Sequence, residues 1–155
     1  MDSREALGSW LEGPKAAAER MGADFGYRGE RLGRPQTGSG AVAGPGRRIG
    51  ALFVDGWIAN IIALGLLAHG NLAKANIYGL PVFFAVNAVL LATAGTTFGK
   101  RLFGLRLVRL DGNRATVPQV LLRTLLLCLV VPALIWDRDQ RGLHDKAVGT
   151  IEVRI

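Results

Sequence analysis

Hydrophobic and polar positions divide this chain into a polar first third and three apolar runs separated by charge. The first run, residues 47–68 (RRIGALFVDGWIANIIALGLLA), opens on a basic pair and is broken by one carboxylate, Asp55. About twenty apolar residues at ~1.5 Å each reach ~30 Å, the thickness of a bilayer core. A central Asp costs such a helix ~2.5 to 3.5 kcal/mol, while each Leu, Ile, Phe or Val returns ~0.3 to 0.6. The run from Ile49 to Leu67 holds enough of these to offset Asp55, so it predicts a transmembrane helix over about 48–68. The second run (YGLPVFFAVNAVLLATAG) predicts another over about 78–95, with Pro81 in its first turn, where proline is tolerated, and Asn87 near its middle. The polar stretch 69–76 predicts a tight connection, hence antiparallel helices. Ala85, Ala88, Ala92 and the pair Gly95/Gly99 give the second helix a face suited to close approach.

The third run (VPQVLLRTLLLCLVVPALIW) predicts an apolar helix over about 118–136, with Arg123 near its start and Pro132 interrupting it. It either spans straight, or lies along the interface with Arg123 snorkelling and bends back near Pro132 as a re-entrant segment. Before it, Leu105 to Leu110 alternates and leads into Asp111-Gly112, the pattern of a short strand and turn; Thr150 to Ile155 alternates likewise. Pairing of these two strands requires both to be on one side and favours the returning form. The fold class is therefore an all-α membrane protein of two antiparallel spans, a third apolar helix and a short two-stranded cytoplasmic element.

Charge orients this arrangement. Residues 1–46 balance their acids and bases, so the net charge of +7 belongs wholly to residues 47–155. Arg47-Arg48 and the connector with Lys100, Arg101, Arg106, Arg109 and Arg114 are expected inside, and the turn bearing only Lys74 outside. The first 46 residues carry recurrent glycines and read as a flexible hydrophilic cytoplasmic arm preceding a membrane domain over 47–155. A basic balance without a basic helix or aromatic platform does not point to nucleic acid. The single cysteine, Cys128, excludes an internal disulfide. MDSREALGSW has no apolar core of the length a secretory signal needs.

Helix rise gives the candidate chemistry. Asp55, Asn87 and Arg123 fall ~8 to 12 Å from the cytoplasmic side and are expected to meet at one level. A carboxylate in hydrocarbon must be paired, hydrated or protonated, which leaves two readings: a cation- or proton-handling site, or a structural Asp55–Arg123 bridge. Gly95-Thr96-Thr97-Phe98-Gly99-Lys100 is one residue short of a phosphate loop, has Arg101 where Ser or Thr is required, and follows no strand. His144-Asp145 reads as a capping or salt-bridge cluster with Arg141 and Lys146.

Arg48 and Asp55 in the first span, the connector TFGKRLFGLR and the late RGLHDK with Gly149-Thr150 together resemble the RDD family of bacterial integral membrane proteins. That family is named for one arginine and two aspartates, which Arg48, Asp55 and Asp145 match. The resemblance implies a multi-pass inner-membrane protein of mostly uncharacterised activity, with a transport role suggested for the family and cation/proton antiport for some members. The function expected is handling of a small cation or proton at Asp55; the alternative is a non-catalytic membrane scaffold or partner-binding subunit. Neither reading requires an enzyme, a cofactor or a metal. The partners expected are the lipid bilayer and either a second copy or a membrane partner.

Overall fold

The computed structural model describes residues 22, 26–129, 135, 139 and 141–155. Helix α1 spans Pro45–Ile62, with proline at its first position where the missing N–H costs nothing. It widens into a π-helical turn over Ala63–Leu67, in which the Ala68 N–H reaches the Ala63 carbonyl at 2.9 Å. His69 and Gly70 then take φ of 48° and 83°, and the Asn71 side chain accepts the Lys74 N–H to cap α2, Leu72–Ala94. The second helix thus starts at Leu72 and not near residue 78, because the polar residues before Tyr78 cap and continue it. Pro81 consequently lies inside the helix, where it leaves the Ile77 carbonyl without its usual donor.

Each long helix, with the π turn counted in the first, is 23 residues and apolar enough to cross a bilayer. Only 22% and 28% of their most apolar stretches are buried, whereas the core helix of a soluble domain buries most of its length. Phe53, Trp57, Ile61 and Leu66 on α1, with Ile77, Leu80 and Val89 on α2, face outward.

The remaining elements gather at the end where α1 begins and α2 stops. They are α3 (Phe98–Leu102), β1 (Leu105–Arg109), α4 (Val117–Cys128), α5 (Leu143–Val148) and β2 (Thr150–Arg154). The strands pair antiparallel, Leu105 opposite Arg154 and Arg109 opposite Thr150, as their alternation predicts. Ile155 N–H adds a 2.9 Å bond to the Gly104 carbonyl, so the last residue returns to the connector. The expected helix over 118–136 is shorter: α4 stops at Cys128, and at ~1.5 Å per residue its ~18 Å cannot cross ~30 Å. The bend expected at Pro132 lies outside the described residues.

Residues 26–46 depart from the expectation of a flexible arm. They hold a 3₁₀ turn at Glu30–Leu32, flanked by left-handed Gly29 and Gly33, and residues 40–43 run along the free edge of β2. Gly40 and Ala43 donate to the Arg154 and Glu152 carbonyls at 2.8 and 2.9 Å, and Arg154 donates back to Ala41 at 2.9 Å. Arg34 also holds the Arg109 and Leu110 carbonyls at 3.1 Å each. The physical reason is that an open strand edge presents backbone donors and acceptors that need partners. Val42, Val108, Ile151 and Val153 close over this contact, with Leu32 against them.

Candidate functional site: a buried charge cluster at the end of the long helices

Five elements bring charge into one interior. The first turn of α1 supplies Arg48, α3 Lys100, α4 Arg123, α5 Asp145 and β2 Glu152. Helix α4 is set by its start, where Gln119 Oε1 accepts the Thr116 N–H at 3.0 Å while Gln119 Nε2 donates to the Val148 carbonyl at 2.8 Å. That second bond ties α4 to the end of α5. Arg123, 1% exposed, is thereby aimed at the sheet: its Nε donates to Asp145 and its Nη2 to Glu152.

The other groups complete the ring. Lys100 Nζ stands 3.1 Å from Glu152 Oε1, and Arg48 reaches Glu152 Oε2 at 3.6 Å and Asp145 Oδ2 at 4.0 Å. Thr150 Oγ1 donates to Asp145 Oδ1 at 3.1 Å, and His144 Nε2 is 3.5 Å from Asp145 Oδ2. Burial alone pushes both carboxyls up, but the neighbouring cations outweigh it. Arg123 foremost holds Asp145 below the usual carboxylate range, and Lys100, Arg123 and Arg48 hold Glu152 well below it. Both carboxylates are therefore ionised and internally neutralised. A cavity of about 50 Å³ remains beside Arg48, Lys100, Arg123, His144 and Glu152, room for water and far below the ~300 Å³ of a small-molecule site.

Asp55 occupies a different place. Its Oδ2 accepts the Thr97 hydroxyl and its Oδ1 the Gly99 N–H at 2.8 Å, while Thr97 Oγ1 accepts the Lys100 N–H at 3.2 Å. The carboxylate therefore fastens α1 to the first turn of α3. The stretch Gly95–Lys100, which superficially resembles a phosphate loop, spends its Gly99 amide on the chain's own carboxylate. The Gly95/Gly99 pair does not form a helix face either. Gly95, at φ 69°, terminates α2, and Gly99 packs in α3 against the Ala51 carbonyl.

Of the five residues predicted from sequence, Arg48, Arg123 and Asp145 meet, and Asp55 and Asn87 do not join them. Arg123 pairs with Asp145 and Glu152 and leaves no Asp55–Arg123 bridge. Asn87 is buried, but its Nδ2 bonds the Phe83 carbonyl of its own helix at 3.0 Å. Asp145 takes Arg123 and Arg48 as partners, and Lys146 is exposed. Glu152 and Lys100 are the members that sequence reasoning missed. The signal for Glu152 was its place between Ile151 and Val153: a strand buried on both faces must pair its charge. Among the described residues no group of His, Cys, Asp and Glu is arranged to hold a metal ion.

Two long, outward-apolar helices closed at one end by a buried charge cluster point to a helical membrane protein. A family model described as RDD family matches residues 42–149, and the chain belongs to that family. The match takes in Arg48, Asp55, Arg123 and Asp145 and stops short of Glu152. Comparison with curated proteins and with solved structures gave no match.

Proposed function

We propose that this chain is a non-catalytic subunit of the inner membrane, crossing it twice with the connector, the sheet and both ends of the chain on the cytoplasmic side. The charge cluster serves as the rigid plug that joins the two spans to a cytoplasmic platform. The observation that carries this reading is the state of Asp55: both carboxylate oxygens are taken, by the Thr97 hydroxyl and the Gly99 amide. A carboxylate that must release a cation or proton in each cycle cannot also be the clasp between two helices without opening them. The small cavity beside Glu152 argues in the same direction, since its volume of about 50 Å³ is room for water and too little for a solute site. The positive-inside pattern supports the orientation. The platform, built from the sheet and residues 26–46, is the part offered to a partner.

Asp55→Asn separates this reading from cation or proton transport. Losing charge from two bonds of a buried acceptor is expected to cost about 1 to 3 kcal/mol. The variant should show a lower thermal midpoint in detergent and lower abundance in membranes. Proteoliposomes carrying the wild-type chain should take up protons no faster than empty ones. A wild-type flux that Asp55→Asn abolishes while leaving the midpoint unchanged would establish transport in place of the scaffold.

A further inference from the structure

At the membrane-proximal edge of the platform lies a second, open cleft of about 580 Å³, separate from the charge cluster. Tyr27, Arg28, Gln36, Arg47 and Arg154 line it, and among the described residues its lining has no acidic side chain. Three arginines thus line the cleft from three parts of the chain: the turn before Gly29, the start of α1 and the end of β2. Among the described residues Arg28 and Arg154 enter no ion pair, and Arg47 gives one N–H to the Phe103 carbonyl at 3.0 Å. That bond anchors Arg47 and leaves its other donors for a ligand. The backbone assists: Gly44 lines the cleft, and a Cβ there would come within 3.1 Å of Arg28 Nη1, so Arg28 lies directly on the chain entering α1.

Geometry and charge fix the ligand class. Guanidiniums match phosphate oxygens in paired N–H donation, and three arginines with no counter-charge among the described residues call for an anion. The position of the cleft selects the source of that anion. Val54 and Ile58, seven and eleven residues beyond Arg47 and so on its side of α1, are half-buried and form an apolar strip there, whereas the exposed Ile49 and Phe53 emerge on the opposite side. On α3, Phe98 and Leu102 also face outward at this end of the molecule. A phosphate seated among the arginines can therefore carry acyl chains, which a free phosphate lacks, along the Val54 and Ile58 side of α1.

We propose that Arg28, Arg47 and Arg154 bind the phosphate-bearing headgroup of an anionic phospholipid of the cytoplasmic leaflet. The inference rests on the two-span reading with this end inside. It gives the platform a fixed seat at the headgroup level, holding residues 26–46 against the sheet through Arg28.

Native mass spectrometry of the full-length protein in non-ionic detergent, titrated with phosphatidylglycerol or phosphatidylcholine of the same chains, tests it. The wild type should retain phosphatidylglycerol at concentrations at least about tenfold lower than phosphatidylcholine. Arg28→Gln with Arg154→Gln should reduce that preference to within about twofold with the helical content unchanged, and millimolar inorganic phosphate should not displace the lipid. Equal retention of both lipids by the wild type overturns the seat, and so does a preference that survives the double substitution. Displacement by phosphate assigns the cleft to a soluble anion and overturns it as well. Alkaline carbonate extraction of membranes keeps the two claims apart. Release of the chain from membranes refutes the spans and the seat with them, whereas a retained chain without lipid preference refutes the seat alone.

Discussion

Arg123→Met should lower the unfolding free energy by about 3 to 5 kcal/mol, because it strips the shared partner from two buried carboxylates at once. Asp145 and Glu152 are 0% and 3% exposed. Arg48 and Lys100 remain, yet Arg48 stands 3.6 to 4.0 Å from these groups, and Lys100 reaches Glu152 only. Asp145 then keeps a distant guanidinium, Thr150 and His144, too little to hold its charge in an interior. At about 2 to 4 °C per kcal/mol for a chain of this size, the thermal midpoint in detergent should fall by at least about 6 °C. Arg123→Lys should recover only part of the loss, since a single ammonium cannot reproduce the fork that bonds Nε to Asp145 and Nη2 to Glu152. Adding Glu152→Gln to Arg123→Met should be partly restorative, because it removes one of the stranded charges. A midpoint unchanged in Arg123→Met would mean that the cluster is not the plug described above.

Gly99→Ala should cost about 2 to 6 kcal/mol from the opposite cause, a single added methyl group. Its Cβ would lie 2.1 Å from the Ala51 carbonyl oxygen and 3.0 Å from the Asp55 carboxyl carbon. Backbone cannot swing aside as a side chain does, so α3 has to move off α1. Overpacking of this kind costs about 1 to 3 kcal/mol. The displacement also breaks the Gly99 N–H bond to Asp55, leaving a buried acceptor short of a donor for about 1 to 3 more. Thermal unfolding of the purified variant measures the sum. Gly56→Ala is the control, because a Cβ at that position meets nothing within 4 Å. Equal midpoints for the two variants would contradict the close α1–α3 contact.

The parts legible in the sequence were those with a period or a length. The two long apolar helices follow from apolar run length, and the β1–β2 pair from the alternation of Leu105 to Leu110 and Thr150 to Ile155. What stayed illegible was direction around an axis. Rise per residue put Asp55, Asn87 and Arg123 at one depth, but depth says nothing of the face on which each side chain emerges. Arg123 turns to the sheet, Asn87 to its own backbone and Asp55 to α3. The start of α2 was missed because Asn71 and Lys74 look like loop residues, whereas Asn71 is a cap. Residues 26–46 were missed because glycine content argues against a core of their own. They need none, since β2 supplies an edge to bond to. Glu152 was hidden by the alternation that revealed its strand, which makes every second residue look solvent-facing.

The two-span arrangement with a returning third helix is the central claim, and single-cysteine accessibility tests it most directly. In a Cys128→Ser background, cysteines at Ser39, at Lys74 and appended after Ile155 would be exposed in turn to a membrane-impermeant thiol reagent on intact cells. The account predicts labelling at Lys74 alone, with Ser39 and the appended cysteine labelled only after the cells are broken. Labelling of both Lys74 and the appended cysteine in intact cells would mean three straight spans. That result would put β2 across the membrane from β1 and Glu152 across it from Lys100, and the charge cluster could not exist.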